Sequence, residues 1–138
     1  MNMPNPKVTI LLVEDDPCTR DLIKLAMRRL DIQVVTTRDG VEALELLRQQ
    51  RPQLILLDIL LPYLSGLDVL RQIKQDDLLK QVPVIMISAL GYREVVQQTL
   101  EAGASGFILK PFRVDELVNR VKIALEQTQG LSERVIES

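Results

Sequence analysis

Histidine and tryptophan are missing from this 138-residue chain, and cysteine occurs once, as Cys18. Without histidine the chain cannot build a Ser-His-Asp or Cys-His nucleophile system from its own residues. Histidine-ligated zinc is excluded for the same reason. A single cysteine cannot form an internal disulfide. Cys18 stands in the first turn of an expected helix, where a thiol pKa can fall, but it has no histidine to pair with and is read as incidental. Aromatic residues make up only 3%, too few for a platform that stacks bases. Seventeen Lys and Arg face nineteen Asp and Glu, net −2, without a basic stripe, so direct nucleic-acid binding is not expected. No apolar run approaches the roughly 18 residues of a membrane span, and the opening Met1 to Lys7 lacks the apolar core of a signal peptide. A cytoplasmic protein without membrane contact is the expectation. Its chemistry must rest on carboxylates, hydroxyls and lysines, or on a histidine borrowed from a partner.

Hydrophobic residues are plentiful, at 46%, which is too many for a disordered chain. The length suits one domain of the usual ~100–200 residues, long enough to bury a core without staples. Four short apolar runs end in residues that carry chemistry. Ile10 to Val13 runs into Glu14, Asp15 and Asp16; Leu54 to Leu57 into Asp58; Val84 to Ile87 into Ser88; Phe107 to Leu109 into Lys110. Such runs read as strands buried on both faces. Their carboxyl ends form the edge where ligands collect in open parallel sheets.

Strands are expected at Val8 to Val13, Gln33 to Thr37, Leu54 to Leu57, Val84 to Ile87 and Gly106 to Leu109. Gln33 to Thr37 is more polar and β-branched, as an edge strand would be. Asp16-Pro17 opens a first helix as N-cap and first helical residue, with Ile23, Ala26, Met27 and Leu30 on one face. Asp39-Gly40-Val41-Glu42 has the pattern of a capping box opening a second helix, Gly40 to Gln50. Further helices are expected at Gly66 to Gln75 (Val69, Leu70 and Ile73 inward), at Arg93 to Ala102 with Gly103 as stop signal, and after Lys110-Pro111 (Val114, Leu117, Val118, Val121 and Leu125 inward), with Gly130 ending the last. Five strand-helix repeats predict an α/β fold: (βα)5, a doubly wound parallel five-stranded sheet with helices on both faces. The domain is placed at 7–127, with tails at 1–6 and 128–138.

If the first and third strands are neighbours, Asp15 and Asp58 come close. Clustered carboxylates repel one another, and a hard divalent cation such as Mg²⁺ relieves that repulsion. A carboxylate beside Mg²⁺ can attack phosphorus and become an aspartyl phosphate. Lys110 would supply positive charge to the phosphoryl oxygens, and Ser88 a hydroxyl hydrogen bond.

These residues resemble the receiver domains of two-component response regulators, over about Lys7 to Leu125. "ILLVEDDP" resembles the acidic pair after the first strand, and "LILLDILLP" the phosphoacceptor strand, with Pro62 and Gly66 at the family's spacing. "VPVIMISA" resembles the strand that ends in Ser/Thr and a small residue, and "AGASGFILKPF" the strand that ends in Lys-Pro. The resemblance implies the flavodoxin-like strand order 2-1-3-4-5. It implies Asp58 as phosphoacceptor, and Mg²⁺ (or Mn²⁺) held by Asp15, Asp58 and the backbone carbonyl of Leu60, with Glu14 acting through a water. It further implies Lys110 on the phosphoryl group, Ser88 as switch hydroxyl, Phe107 as switch aromatic, and Ala89 as the small residue that leaves room for the phosphoryl group. The pair is Glu-Asp where Asp-Asp is common, and Phe107 stands where Tyr is frequent.

The implied partners are a sensor histidine kinase or histidine phosphotransfer protein, a downstream protein target, and a second copy of the chain through the face of helix four, strand five and helix five. The chain would not be an enzyme beyond its own phosphotransfer and autodephosphorylation. A haloacid dehalogenase-type phosphatase would need an Asp where Leu60 stands. A flavodoxin would need a phosphate loop where Glu14, Asp15 and Asp16 stand. A receiver cut from a longer DNA-binding regulator, and a degenerate receiver that only binds, are the alternatives kept.

Overall fold

The computed structural model describes the backbone of residues 8–137 and the side chains of residues 8–127. Five strands, β1 (Thr9–Val13), β2 (Gln33–Thr37), β3 (Leu54–Leu57), β4 (Val84–Ser88) and β5 (Gly106–Leu109), form one parallel sheet in the order β2-β1-β3-β4-β5. The helices are α1 (Pro17–Met27), α2 (Gly40–Leu47), α3 (Gly66–Gln75), α4 (Arg93–Glu101) and α5 (Val114–Glu137), with a 3₁₀ turn at Arg28–Leu30. This is the doubly wound α/β arrangement with the expected flavodoxin-like strand order.

The continuous apolar runs follow from the two-sided burial. Along β1 and β3, Leu11, Val13, Ile55 and Leu57 point into a core shared with Ala43 and Leu47 of α2 and Val69, Leu70 and Ile73 of α3. Their neighbours Ile10, Leu12, Leu54 and Leu56 point into a second core with Ile23, Ala26 and Met27 of α1 and Leu117 and Val121 of α5. From Ile10 to Val13 and from Leu54 to Leu57 every position therefore meets a helix layer, and no polar residue is tolerated until the run ends. Val114, Val118 and Leu125 pack partly buried against the second core, as does Leu30.

Caps start the helices where polar residues interrupt the pattern. The Thr19 N–H and hydroxyl both donate to Asp16 Oδ2, at 3.1 and 2.6 Å. The Glu42 N–H donates to Asp39 Oδ1 at 2.8 Å, and the Leu67 N–H to Ser65 Oγ at 3.2 Å.

Three expectations need correction or limits. Helix α2 ends at Leu47 rather than Gln50, because the N–H groups of Gln49 and Gln50 both turn back onto the Leu46 carbonyl. Gly130 does not end α5, whose helical backbone runs on to Glu137. A lone helical glycine costs only about 1 kcal/mol relative to alanine, and good helix formers such as Glu126, Leu131 and Glu133 flank it. Residues 1–6, expected as a tail, lie outside the described residues. Among the described residues no helix is long and apolar enough to cross a membrane.

Candidate functional site

The parallel register brings the strand ends together. Val13 pairs with both Thr37 and Leu57, and Leu57 pairs with Met86. The ladder extends one step further: the Glu14 N–H donates to the Thr37 carbonyl, and the Asp58 N–H to the Val13 carbonyl, both at 3.1 Å. On the far side the Lys110 N–H donates to the Ser88 carbonyl at 2.9 Å. Residues far apart in sequence thus share one edge.

The centre is a lysine held between two carboxylates. Lys110 Nζ donates to Asp58 Oδ2 at 2.7 Å and to Glu14 Oε1 and Oε2 at 3.0 and 2.9 Å. The Glu14 and Asp58 side chains are nearly sealed, 3% and 7% exposed, against 19% for Lys110. Asp58 Oδ1 accepts the Leu60 N–H at 3.2 Å, so the loop after β3 folds back over the carboxylate. Leu60 itself is exposed. Tyr63, further along this loop, has φ 69 and is 89% exposed. A left-handed conformation at a bulky residue costs about 1–2 kcal/mol, and no turn glycine in the sequence signals it. Ser88 is fully buried, and its Oγ accepts the Leu90 N–H at 3.3 Å. Ala89 is exposed. Phe107 is half-buried against the α2/α3 core, and its carbonyl accepts from Arg120 of α5 at 2.8 Å.

Sequence reasoning pairs Asp15 with Asp58. In the structure it is Glu14 that joins Asp58 around Lys110, while Asp15 is exposed. Glu14 continues the β1 ladder and its carboxylate reaches Lys110, whereas Asp15 lies past the ladder, in the turn. Sequence reasoning also misses Arg20, whose guanidinium reaches back to this turn.

Burial lifts the Glu14 carboxyl above the ordinary glutamate value; the Lys110 hydrogen bond opposes this, and the charge of Asp58 adds to it. Burial also works against the Lys110 ammonium, but hydrogen bonds to Asp58 and Glu14 outweigh it and hold the amine above the usual lysine range. The Glu14 shift has a measurable consequence. Between its unfolded and folded pKa values the folded chain holds more protons than the unfolded one. Ionising Glu14 therefore costs stability as pH rises through the folded value, and the cost is complete above it. Without added metal, Glu14→Gln is expected to be more stable than the parent at neutral pH, with the margin shrinking as pH falls through the acidic range. Urea unfolding across that range checks this, and a margin that widens on acidification would contradict it.

The donors that the resemblance implies are oxygens only: the carboxylates of Glu14, Asp15 and Asp58 and the backbone carbonyl of Leu60. That set suits Mg²⁺ or Mn²⁺, and the two nearly sealed carboxylates of Glu14 and Asp58 share a single ammonium, that of Lys110. Among the described residues no three acids gather closely enough to hold a metal alone. Mg²⁺ usually takes one or two carboxylates and completes its shell with water and phosphate.

The chain that carries this site is similar to known proteins over most of its length. The family profile described as "Response regulator receiver domain" matches residues 10–122. The phosphate regulon transcriptional regulatory protein PhoB of Pseudomonas aeruginosa is 38% identical over 130 residues, covering 94% of this chain and 57% of PhoB. The polar-differentiation response regulator DivK of Brucella anthropi is 34% identical over 114 residues, covering 83% of this chain and 93% of DivK. The structure of the Mn²⁺-bound form of response regulator Rcp1 superposes with a TM-score of 0.74 at 32% identity, covering 88% of this chain and 91% of that one. The chain spans about half the length of the curated transcriptional regulators it matches.

Proposed function

We propose that this chain, which belongs to the response regulator receiver domain family, accepts a phosphoryl group on Asp58 from a phosphohistidine on a partner kinase or phosphotransfer protein. The observation that carries this reading is the buried Asp58 carboxylate, with one oxygen on Lys110 and the other on the Leu60 amide. An Asp58 oxygen attacks phosphorus, the P–N bond breaks, and the imidazole leaves as the neutral base after taking up a proton. Lys110 follows the negative charge onto the phosphoryl oxygens, and the Ser88 hydroxyl turns from the Leu90 amide to donate to one of them. Mg²⁺ or Mn²⁺ held by Asp15, Asp58 and the Leu60 carbonyl, with Glu14 behind a water, would neutralise charge on the transferring group. The manganese-bound form of Rcp1 supports that choice of ion. The chain's chemistry on this reading is limited to its own phosphorylation and dephosphorylation.

Output follows from the same residues. Movement of Ser88 and Lys110 shifts the loops after β4 and β5, and Phe107, half-buried against the α2/α3 core, packs deeper. The face of α4, β5 and α5, which already exposes Leu100 and Leu109, then changes its affinity for a protein target or a second copy of the chain. A second reading, the receiver portion of a DNA-binding regulator, is favoured by the half-length match to PhoB and its like; DivK, matched over 93% of its length, favours the first.

Intact mass after incubation with acetyl phosphate tests the proposal. A gain of about 80 Da, the mass of one HPO₃, is expected with Mg²⁺ and the parent chain. It is expected to be absent without Mg²⁺ and in Asp58→Asn. Absence of the adduct from the parent at every Mg²⁺ concentration would leave a binding module in place of a phosphorylated switch.

A further inference from the structure

We infer that Arg20 is a positioning residue for the cation site: it clamps the backbone of the acidic turn and so sets the direction of the Asp15 carboxylate. One nitrogen of its guanidinium, Nη1, donates to the Glu14 carbonyl at 3.0 Å and to the Asp15 carbonyl at 2.9 Å. Arg20 lies in α1, whose first turn is fixed independently by the Asp16 cap and by the Arg20 N–H on the Asp16 carbonyl at 3.0 Å. The clamp therefore ties a rigid helix to the point where the β1 ladder runs out.

That point is where control is otherwise lost. Glu14, directly after β1, is the last residue on its ladder, through its N–H on the Thr37 carbonyl. Before the Asp16 cap takes over, the turn is also held by the Asp16 N–H on Glu14 Oε1 at 3.2 Å. Three successive acids, with their carbonyl dipoles, repel one another here. A guanidinium that holds two adjacent carbonyls removes most of the freedom of the peptide between Glu14 and Asp15. It also engages both carbonyls, while the oxygens proposed for the cation are side-chain carboxylates and the Leu60 carbonyl.

The inference rests on the proposed cation site, and its sign separates it from a charge effect. A permanently charged guanidinium beside a cation site repels the cation. If charge were its main contribution, Arg20→Ala would bind Mg²⁺ more tightly. Positioning requires the opposite: outer residues that orient metal ligands typically cost about 10–100-fold in affinity when removed.

The experiment is calorimetric titration of the purified chain with Mg²⁺ alone, and with Mn²⁺ alone, for the parent, Arg20→Ala, Arg20→Gln and Arg20→Lys. The phosphorylation rate with acetyl phosphate is followed against Mg²⁺ concentration in parallel. Expected are about tenfold weaker binding for Arg20→Ala and Arg20→Gln and an intermediate value for Arg20→Lys, whose ammonium can still donate to carbonyls. The rate at saturating Mg²⁺ should return to near the parent value, because the reacting groups are untouched. If Arg20→Ala does not fold, Arg20→Gln carries the test by the same criterion. Unchanged or tighter binding in the folded variants overturns the inference while leaving the proposed function standing. A parent chain that binds neither ion defeats the proposed function itself.

Discussion

Lys110→Met is expected to destabilise the metal-free chain at neutral pH by roughly 3 kcal/mol, in the range found when one partner of a buried ion pair is removed. Glu14 and Asp58 would then face each other with no counter-charge, both almost sealed from water. The loss has a direction in two further variables. It should shrink on acidification, because protonating one carboxyl ends the repulsion. It should also shrink on adding Mg²⁺, which can stand where the ammonium stood, so the variant gains more from Mg²⁺ than the parent does. Phosphorylation by acetyl phosphate should slow at least tenfold even where stability is recovered, since the charge that meets the phosphoryl oxygens is gone. Urea unfolding with and without Mg²⁺, alongside intact-mass kinetics, measures each part. A variant as stable as the parent at neutral pH without metal would show that Lys110 does not hold the pair together.

Gly66→Ala is expected to cost roughly 3 kcal/mol or more, on the order of 10 °C in Tm. The first residue of α3 sits directly on the end of β3. A Cβ there would fall on the Asp58 carbonyl oxygen, with the Asp58 carbonyl carbon at 2.7 Å and Ile59 Cα at 2.8 Å. All three are backbone atoms, so no side chain can move aside. The Gly66 N–H also donates to the Ile59 carbonyl at 2.9 Å, which pins helix and strand at this distance. Relief must come from shifting α3 or the Asp58 peptide, so the variant should lose phosphorylation as well as stability. Calorimetric unfolding together with the acetyl phosphate adduct checks this. A variant with the parent's Tm and adduct yield would show that the contact yields easily.

The strands were legible because of a simple constraint. Leu54 to Leu57 are buried on both faces, and only a parallel sheet between two helix layers demands that. Gln33 to Thr37 was recognisable as an edge by its polarity. The helices opened where the caps at Asp16 and Asp39 promised. Strand order was less accessible, since alternating strands and helices fix handedness but leave several orders open; the order 2-1-3-4-5 came from resemblance. The identity of the buried acid was harder still. Glu14, Asp15 and Asp16 form a run without periodicity, and which one turns inward depends on where the β1 ladder stops. Arg20 was illegible for a related reason, because its partners are backbone carbonyls and leave no mark in side-chain pattern. Tyr63 adopts a conformation that composition would assign to glycine or asparagine.

The lysine between two carboxylates has a last consequence, which appears when the pocket is treated as a small ionic cluster. Glu14, Asp58 and Lys110 leave one negative charge unmatched. Asp15, the further carboxylate assigned to the cation, makes that two, and a divalent cation beside them brings the cluster to neutral. Turning the Asp58 carboxylate into an acyl phosphate dianion consumes its original charge and adds two, a net change of only about one, and the cluster becomes one unit negative again. Low-dielectric surroundings favour whichever occupancy leaves least uncompensated charge. On that count the cation-loaded, unphosphorylated pocket is the electrically quiet state of this cluster, and phosphorylation returns an unmatched charge to it.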